Sequence, residues 1–164
     1  MRVAEAEFAF RFGRDLEKRK QAYSLGEVLN AVESLHAAIE VPDSRYLDYT
    51  VVGAPQLIAD NACACWFILG APAPSNWHDF NLAQHKVDGY RNDELISSGS
   101  GANVLGNPCA ALTWIANELI QYDDGLSAGQ VVTTGTCITP IPLVPGDKVR
   151  MDFGLFGSVE ARFS

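Results

Sequence analysis

The chain opens on a strict alternation. Over residues 3–12, Ala4, Ala6, Phe8, Phe10 and Phe12 fall on one side and Val3, Glu5, Glu7 and Ala9 on the other. That is the period of a strand with one face buried. A helix is expected next. Ser24-Leu25-Gly26-Glu27 has the form of a capping box, in which the hydroxyl and the carboxylate each cover a free backbone N–H. Leu25, Val28, Leu29, Val32 and Leu35 continue as an apolar stripe at helical spacing, which gives way near Ala38. Ile39-Glu40-Val41 predicts a short strand whose length Pro42 limits.

Residues 55–60 predict a short helix or turn, and the apolar run 63–69 a strand closed by Gly70 and two prolines. Residues 84–98 predict a hairpin turning near Asn92-Asp93. Asn107-Pro108 is a helix start, a capping side chain followed by proline at the first helical position. The stripe Leu112, Ile115, Ala116, Leu119, Ile120 follows, and Gly125 ends it. Three more strands are expected at 130–138, 148–153 and 158–163, the last two joined by the turn Gly154-Leu155-Phe156-Gly157. There is no repeat, low-complexity tract or linker. The expected architecture is a single α+β domain over residues 1–164, β-rich, with two main helices on a curled mixed sheet or barrel.

Charge narrows the functional classes. Twelve Lys and Arg against 20 Asp and Glu give a net charge of −8, which excludes nucleic acid and anionic membrane surfaces as main partners. No apolar run approaches the roughly 20 residues of a membrane span. Glu5 and Glu7 leave no early apolar stretch for a secretory signal, and the expected location is cytoplasmic. Cys63, Cys65, Cys109 and Cys137 form no C-x-x-C pair, so zinc-finger and thioredoxin chemistry is set aside. They are expected to be reduced packing residues, Cys63 and Cys65 on opposite faces of one strand. His36, His78 and His85 are expected to be structural or solvated.

Glu5-x-Glu7 puts two carboxylates on one strand face, roughly 7 Å apart at the backbone. An isolated pair of this kind is more often a wet surface than a site. Glu40, between Ile39 and Val41, is a third carboxylate that either joins them, stands on the surface, or pairs with Arg45. Joined, the three make an all-oxygen site suited to Mg²⁺ or Mn²⁺.

Seven short segments in order carry a family resemblance: Val3-Ala4-Glu5-Ala6-Glu7, Ala38-Ile39-Glu40-Val41-Pro42-Asp43-Ser44-Arg45, Ile58-Ala59-Asp60-Asn61-Ala62, Leu105-Gly106-Asn107-Pro108, Thr133-Thr134-Gly135-Thr136, Pro145-Gly146-Asp147 and Phe156-Gly157-Ser158-Val159. On these the chain resembles the fumarylacetoacetate hydrolase superfamily, in its 2-keto-4-pentenoate hydratase and 4-oxalocrotonate decarboxylase branch. The resemblance implies the curled fold of the family's C-terminal portion. It also implies Mg²⁺ or Mn²⁺ held by Glu5, Glu7 and Glu40, and a 2-keto acid that chelates the metal and reacts through an enolate.

By the same resemblance, Asp60 and Asn61 are expected near the substrate as catalytic groups. Gly135 and Thr136 are expected at its carboxylate, and Arg45 either there or bracing Glu40. Members of the branch are usually longer at the N-terminus, where a helical cap supplies a lysine and other polar groups; that cap region is expected to be absent here. The implied activity is a hydratase-like lyase of aromatic catabolism, in a homo-oligomer with a small-molecule substrate and neither nucleic acid nor membrane as partner. Decarboxylation, acylpyruvate hydrolysis and non-catalytic metal or keto-acid binding stand as alternatives.

Overall fold

The structure, a computed structural model, describes residues 2–122 and 124–164. The opening alternation forms β1 (Val3–Phe12), whose residues Ala4, Ala6, Phe8, Phe10 and Phe12 are wholly buried. Against it lie β2 (Val32–Val41) and then β3 (Trp66–Pro72) on one side, and β6 (Val131–Thr136) on the other. The two-residue β7 (Ile141–Pro142) pairs with the start of β1 at Val3 and Ala4. A second sheet is built from β4 (Lys86–Arg91), β5 (Glu94–Ser100), β8 (Lys148–Asp152) and β9 (Ser158–Arg162), in the order β5-β4-β8-β9.

The core lies between the sheets. The phenylalanines of β1 face Val87, Val149, Met151, Phe153 and Val159, all buried in one cluster. Phe8 meets Phe153 edge-on at 5.0 Å between ring centroids and Phe156 at 6.1 Å. Each such ring contributes roughly 1.5–3 kcal/mol by leaving water, with edge-to-face packing adding to it. Because one face of β1 is fully used in this way, its other face is free for polar chemistry.

Helix α1 (Leu25–Ala31) starts with the expected capping box: Ser24 accepts from the Glu27 N–H, and Glu27 accepts from the Ser24 N–H at 2.8 Å. Helix α2 (Ala54–Ala59) is short. Helix α3 (Pro108–Gln121) is capped by Asn107, whose side chain accepts from the Cys109 N–H at 2.9 Å. It buries Leu112 and Ala116 and packs on α1 and β6. No helix among the described residues is long and apolar enough to cross a membrane.

The α+β class, the capping sites and the hairpin at Asn92-Asp93 stand as expected. Four details differ. The helix begun at Ser24 stops at Ala31, and residues 32–41 form one long strand instead of a helix and a short strand. Val32, Leu35, Ala37, Ile39 and Val41 serve either period over part of the stretch, and pairing with β1 from Glu5↔Glu40 to Phe12↔Val32 decides for the strand. His36 therefore sits on a strand, its ring bonded to Ser34 Oγ and Gly70 O.

The third strand begins at Trp66, because Asn61, Ala62 and Cys63 take left-handed φ values of 51, 52 and 66° in a turn. Cys63 and Cys65 thus lie on no strand; Cys63 is buried and Cys65 exposed. Among the described residues every pairing between these strands is antiparallel, in place of the expected mixed sheet, and the sheets do not close into a barrel. Finally, β7 has no counterpart in the sequence pattern, two residues being too few to show a period.

Candidate metal centre

The register of the first sheet assembles the acidic cluster. Glu5 lies directly across from Glu40, and Glu7 two residues along the same face of β1. Directly opposed residues of antiparallel strands project on the same side. One oxygen from each of Glu5, Glu7 and Glu40 lies within 4.8 Å of the others. Oxygens around a magnesium ion at 2.0–2.1 Å are themselves about 3–4 Å apart, so small side-chain adjustments bring this set to a six-coordinate cation. Three carboxylates with no nitrogen or sulfur donor select a hard cation. The residues fit the group that the resemblance implies.

The electrostatics point the same way. Burial pushes the Glu7 carboxyl up to about 8, and the neighbouring Glu40 adds to the rise, while the Gly135 N–H opposes it. Glu5 is raised too, by burial first and then by Glu40. Among the described residues no ion pair involves Glu5, Glu7 or Glu40. Glu7 is only 2% exposed, and a carboxylate so buried is costly when ionised without a cation. A divalent ion would remove that cost.

Gly135 holds Glu7 in place. Its N–H donates to Glu7 Oε2 at 2.9 Å. The approach depends on an irregularity in the β1–β6 register between Glu7 and Ala9 and on a φ of +113° at Gly135, a conformation side chains with a Cβ rarely adopt. The Thr133 side chain, beside the same carboxylate, also favours its ionised form. Thr136 donates to Ile138 O at 3.0 Å. Both groups expected at a substrate carboxylate therefore have internal partners in this chain. Thr133 opens the segment Thr133-Thr134-Gly135-Thr136 but is assigned no role there; its place beside Val131 on the alternation of β6 is a further signal.

Arg45, Asp60 and Asn61 form a separate group. Asp60 is buried and accepts from Ser44 Oγ at 2.7 Å and from the Arg45 N–H at 3.1 Å. Its carboxyl lies below the usual range, chiefly through the Ser44 hydroxyl. The Arg45 guanidinium donates to the Asp60 and Ala64 carbonyls at 2.8 and 3.0 Å. Arg45 therefore braces the turn at Asp60; of its two expected placements, bracing Glu40 is not the one found. The Asp60 carboxylate, expected to be catalytic, is occupied in fastening that turn. Asn61 stands exposed at its left-handed apex. The exit of the turn, Ala64 and Cys65, borders a hollow that also reaches Glu40.

His78, His85 and the buried Cys109 and Cys137 have packing partners. His85 bonds Phe153 O at 2.7 Å, and His78 stacks on Trp77. Burial pushes the Cys109 and Cys137 thiols up to about 11 and 12, which leaves them inert packing groups. Of the four cysteines, Cys65 alone departs from the expected packing role, being exposed.

The chain is similar in sequence and fold to known proteins. The family model "Fumarylacetoacetate (FAA) hydrolase C-terminal" matches residues 2–164. A 2-keto-4-pentenoate hydratase from Dechloromonas aromatica is 31% identical over 160 residues, 98% of this chain and 59% of that protein. A 4-oxalocrotonate decarboxylase from a Pseudomonas species is 33% identical over 139 residues, 85% of this chain and 52% of that protein. Among solved structures, the 4-oxalocrotonate decarboxylase of Pseudomonas putida G7, complexed with magnesium and adipate, superposes with a TM-score of 0.87 at 30% identity, over 99% of this chain and 60% of that one. The chain thus spans less than two thirds of the length of these relatives. On the fold, the carboxylate cluster and these likenesses, the chain belongs to the fumarylacetoacetate hydrolase family, in the C-terminal portion that the family model describes.

Proposed function

We infer that this chain carries the divalent-cation site of a lyase that acts on a 2-keto acid, with hydration of a 2-keto-4-enoate as its reaction. The observation that carries this reading is the convergence of Glu5, Glu7 and Glu40 within 4.8 Å on one sheet face, without a countercharge among the described residues. The hydratase relative, matched over 98% of this chain, supports the choice of reaction. The magnesium in the related decarboxylase complex supports the choice of ion, with Mn²⁺ a second candidate by donor chemistry.

A bound divalent cation supplies a Lewis acid that polarises the keto group and favours negative charge on its oxygen. The chain's own residues do the rest that can be assigned. Glu5, Glu7 and Glu40 fix the position of the cation. Gly135 holds the Glu7 carboxylate by a hydrogen bond, with the Thr133 side chain beside it. Arg45 and Asp60 lock the turn that presents Asn61, the polar group we assign to the substrate side; Asp60 acts there as a positioning residue. Gly135 and Thr136 line the same strand and shape the substrate end of the site.

Decarboxylation is the second reading, favoured by the TM-score of 0.87 to a decarboxylase. Both reactions need an electron-withdrawing keto group, so the carboxylate cluster serves either. Titration of Mg²⁺ and Mn²⁺ while oxalate or pyruvate binding is followed tests the shared part. Cation-dependent binding is expected, and unaltered binding in a Glu5→Gln, Glu7→Gln variant overturns the assignment. Turnover of 2-hydroxypentadienoate against carbon dioxide release from 4-oxalocrotonate then separates hydratase from decarboxylase.

A further inference from the structure

The face that carries the carboxylates continues onto β3. Phe67 lies directly across from Glu40 in the β2–β3 register, as Leu69 does from Ala38. Glu5, Glu40 and Phe67 therefore stand in one row across three adjacent strands. On the far side of the row, Thr133 and Val131 of β6 project on the same face, opposite Ala9 and Arg11 of β1. Between these walls lies an open hollow of about 240 Å³, bordered by Glu40, Cys65, Trp66, Phe67, Val131 and Thr133. It is smaller than the roughly 300–1,000 Å³ typical of drug-sized sites, a size for an acid of few carbons.

The wall is apolar and half open. Phe67 is 44% exposed, an aromatic ring left in water beside a cluster of acids. Among the described residues no lysine, arginine or histidine borders the hollow. The guanidinium of Arg45, close to Glu40 along the chain, donates to the Asp60 and Ala64 carbonyls. Arg11, which lies across from Val131, is paired with Glu33 at 3.4 Å. A second anionic group on a substrate would thus meet Glu40 and no cation of its own, whereas an alkyl or alkenyl tail would cover Phe67 and Val131.

Resting on the functional reading of the carboxylate cluster, we propose that Phe67 and Val131 are specificity-determining residues that select a 2-keto acid with a short, uncharged apolar tail over one that ends in a second carboxylate. The keto acid head lies at the carboxylate cluster and the tail enters the hollow bordered by Phe67 of β3 and Val131 of β6. The discrimination has two parts: the right tail buries its apolar surface against Phe67 and Val131, and the wrong one carries a desolvated, unpaired charge.

Calorimetric titration of the full chain in saturating Mg²⁺ tests this, with pyruvate, 2-oxopentanoate and 2-oxoglutarate as probes. Two added carbons partly covered by Phe67 should make 2-oxopentanoate bind about three- to tenfold tighter than pyruvate. The dicarboxylate 2-oxoglutarate should bind more weakly than 2-oxopentanoate. In Phe67→Ala the 2-oxopentanoate-to-pyruvate ratio should fall towards one. Val131→Thr, of the same shape, should lower it as well, and it keeps the test decisive where Phe67→Ala does not fold. Pyruvate binding with a flat ratio, or tighter binding of 2-oxoglutarate, overturns this proposal and leaves the metal reading standing. Absence of any Mg²⁺-dependent pyruvate binding overturns that reading, and this proposal with it.

Discussion

Glu5 on β1 and Glu40 on β2 are direct partners in an antiparallel register, so two like charges occupy a position where sheets ordinarily place complementary or apolar pairs. With Glu7 beside them, the first sheet carries a repulsion that only protons or a cation can relieve. The fold sustains this conflict through the hydrogen bonds and packing around β1, and each part can be probed separately.

Removing ligands should remove the cation. Glu7→Gln and Glu40→Gln are each expected to weaken Mg²⁺ affinity at least about tenfold, the lower bound for loss of even an outer support of a metal ligand. The neutral amides also relieve the repulsion, so the metal-free variants should melt at or above the temperature of the unaltered protein when the pH exceeds about 8, where Glu7 ionises. Calorimetric titration and thermal melts in chelator check both halves.

The metal-free protein should lose stability as pH rises. In the fold Glu7 holds its proton up to about 8, above the ordinary carboxyl value of 4.5. Between those values the native state binds the proton and the unfolded chain does not. The contribution is therefore fully present below pH 4.5 and lost as pH rises through about 8, on the order of a few kcal/mol. Saturating Mg²⁺ needs the deprotonated ligand, so its binding should release protons and flatten the slope. Melts from about pH 5 to just above the Glu7 value, with chelator and with Mg²⁺, measure this.

Gly135→Ala should strain the strand and loosen the site together. A φ of +113° suits glycine, and forcing a side chain into such a region costs about 1–3 kcal/mol. Any relaxation turns the N–H away from Glu7 Oε2, now at 2.9 Å. Lower stability in denaturant together with weaker Mg²⁺ binding is expected; unchanged Mg²⁺ affinity would separate Gly135 from the site.

Phe8→Ala should cost about 3–5 kcal/mol in urea unfolding. The ring is wholly buried and packs edge-on against Phe153 and Phe156. Asn107→Ala, which removes only the cap of α3, should cost about 1 kcal/mol. The contrast distinguishes the inter-sheet core from a local helix end.

Much of this protein was legible in the sequence wherever the signal is local. The alternation of residues 3–12, the Ser24-to-Glu27 capping box, the Asn107-Pro108 helix start and the Asn92-Asp93 turn each follow from interactions within a few residues. The E-x-E spacing likewise set Glu5 and Glu7 on one face, because strand geometry alone requires it. Where two periods fit one stretch, as from Val28 to Leu35, local pattern had no means of choosing. Pairing with β1, a strand distant in the chain, made the choice.

Tertiary structure alone decided the rest. Pairing across β1, β2 and β3 set Glu40 beside Glu5 and Phe67 beside Glu40, since register depends on where distant strands meet. It turned Arg45 towards Asp60 instead of Glu40, because the three left-handed residues Asn61, Ala62 and Cys63 bring that turn back over the start of the loop. It also placed the Gly135 N–H on Glu7 by way of an irregular register that no spacing predicts. The sequence alone determined which residue types and which faces were available for metal chemistry. The long-range register determined which of them meet, because a carboxylate's partners are set by the strands beside it and not by its neighbours in the chain.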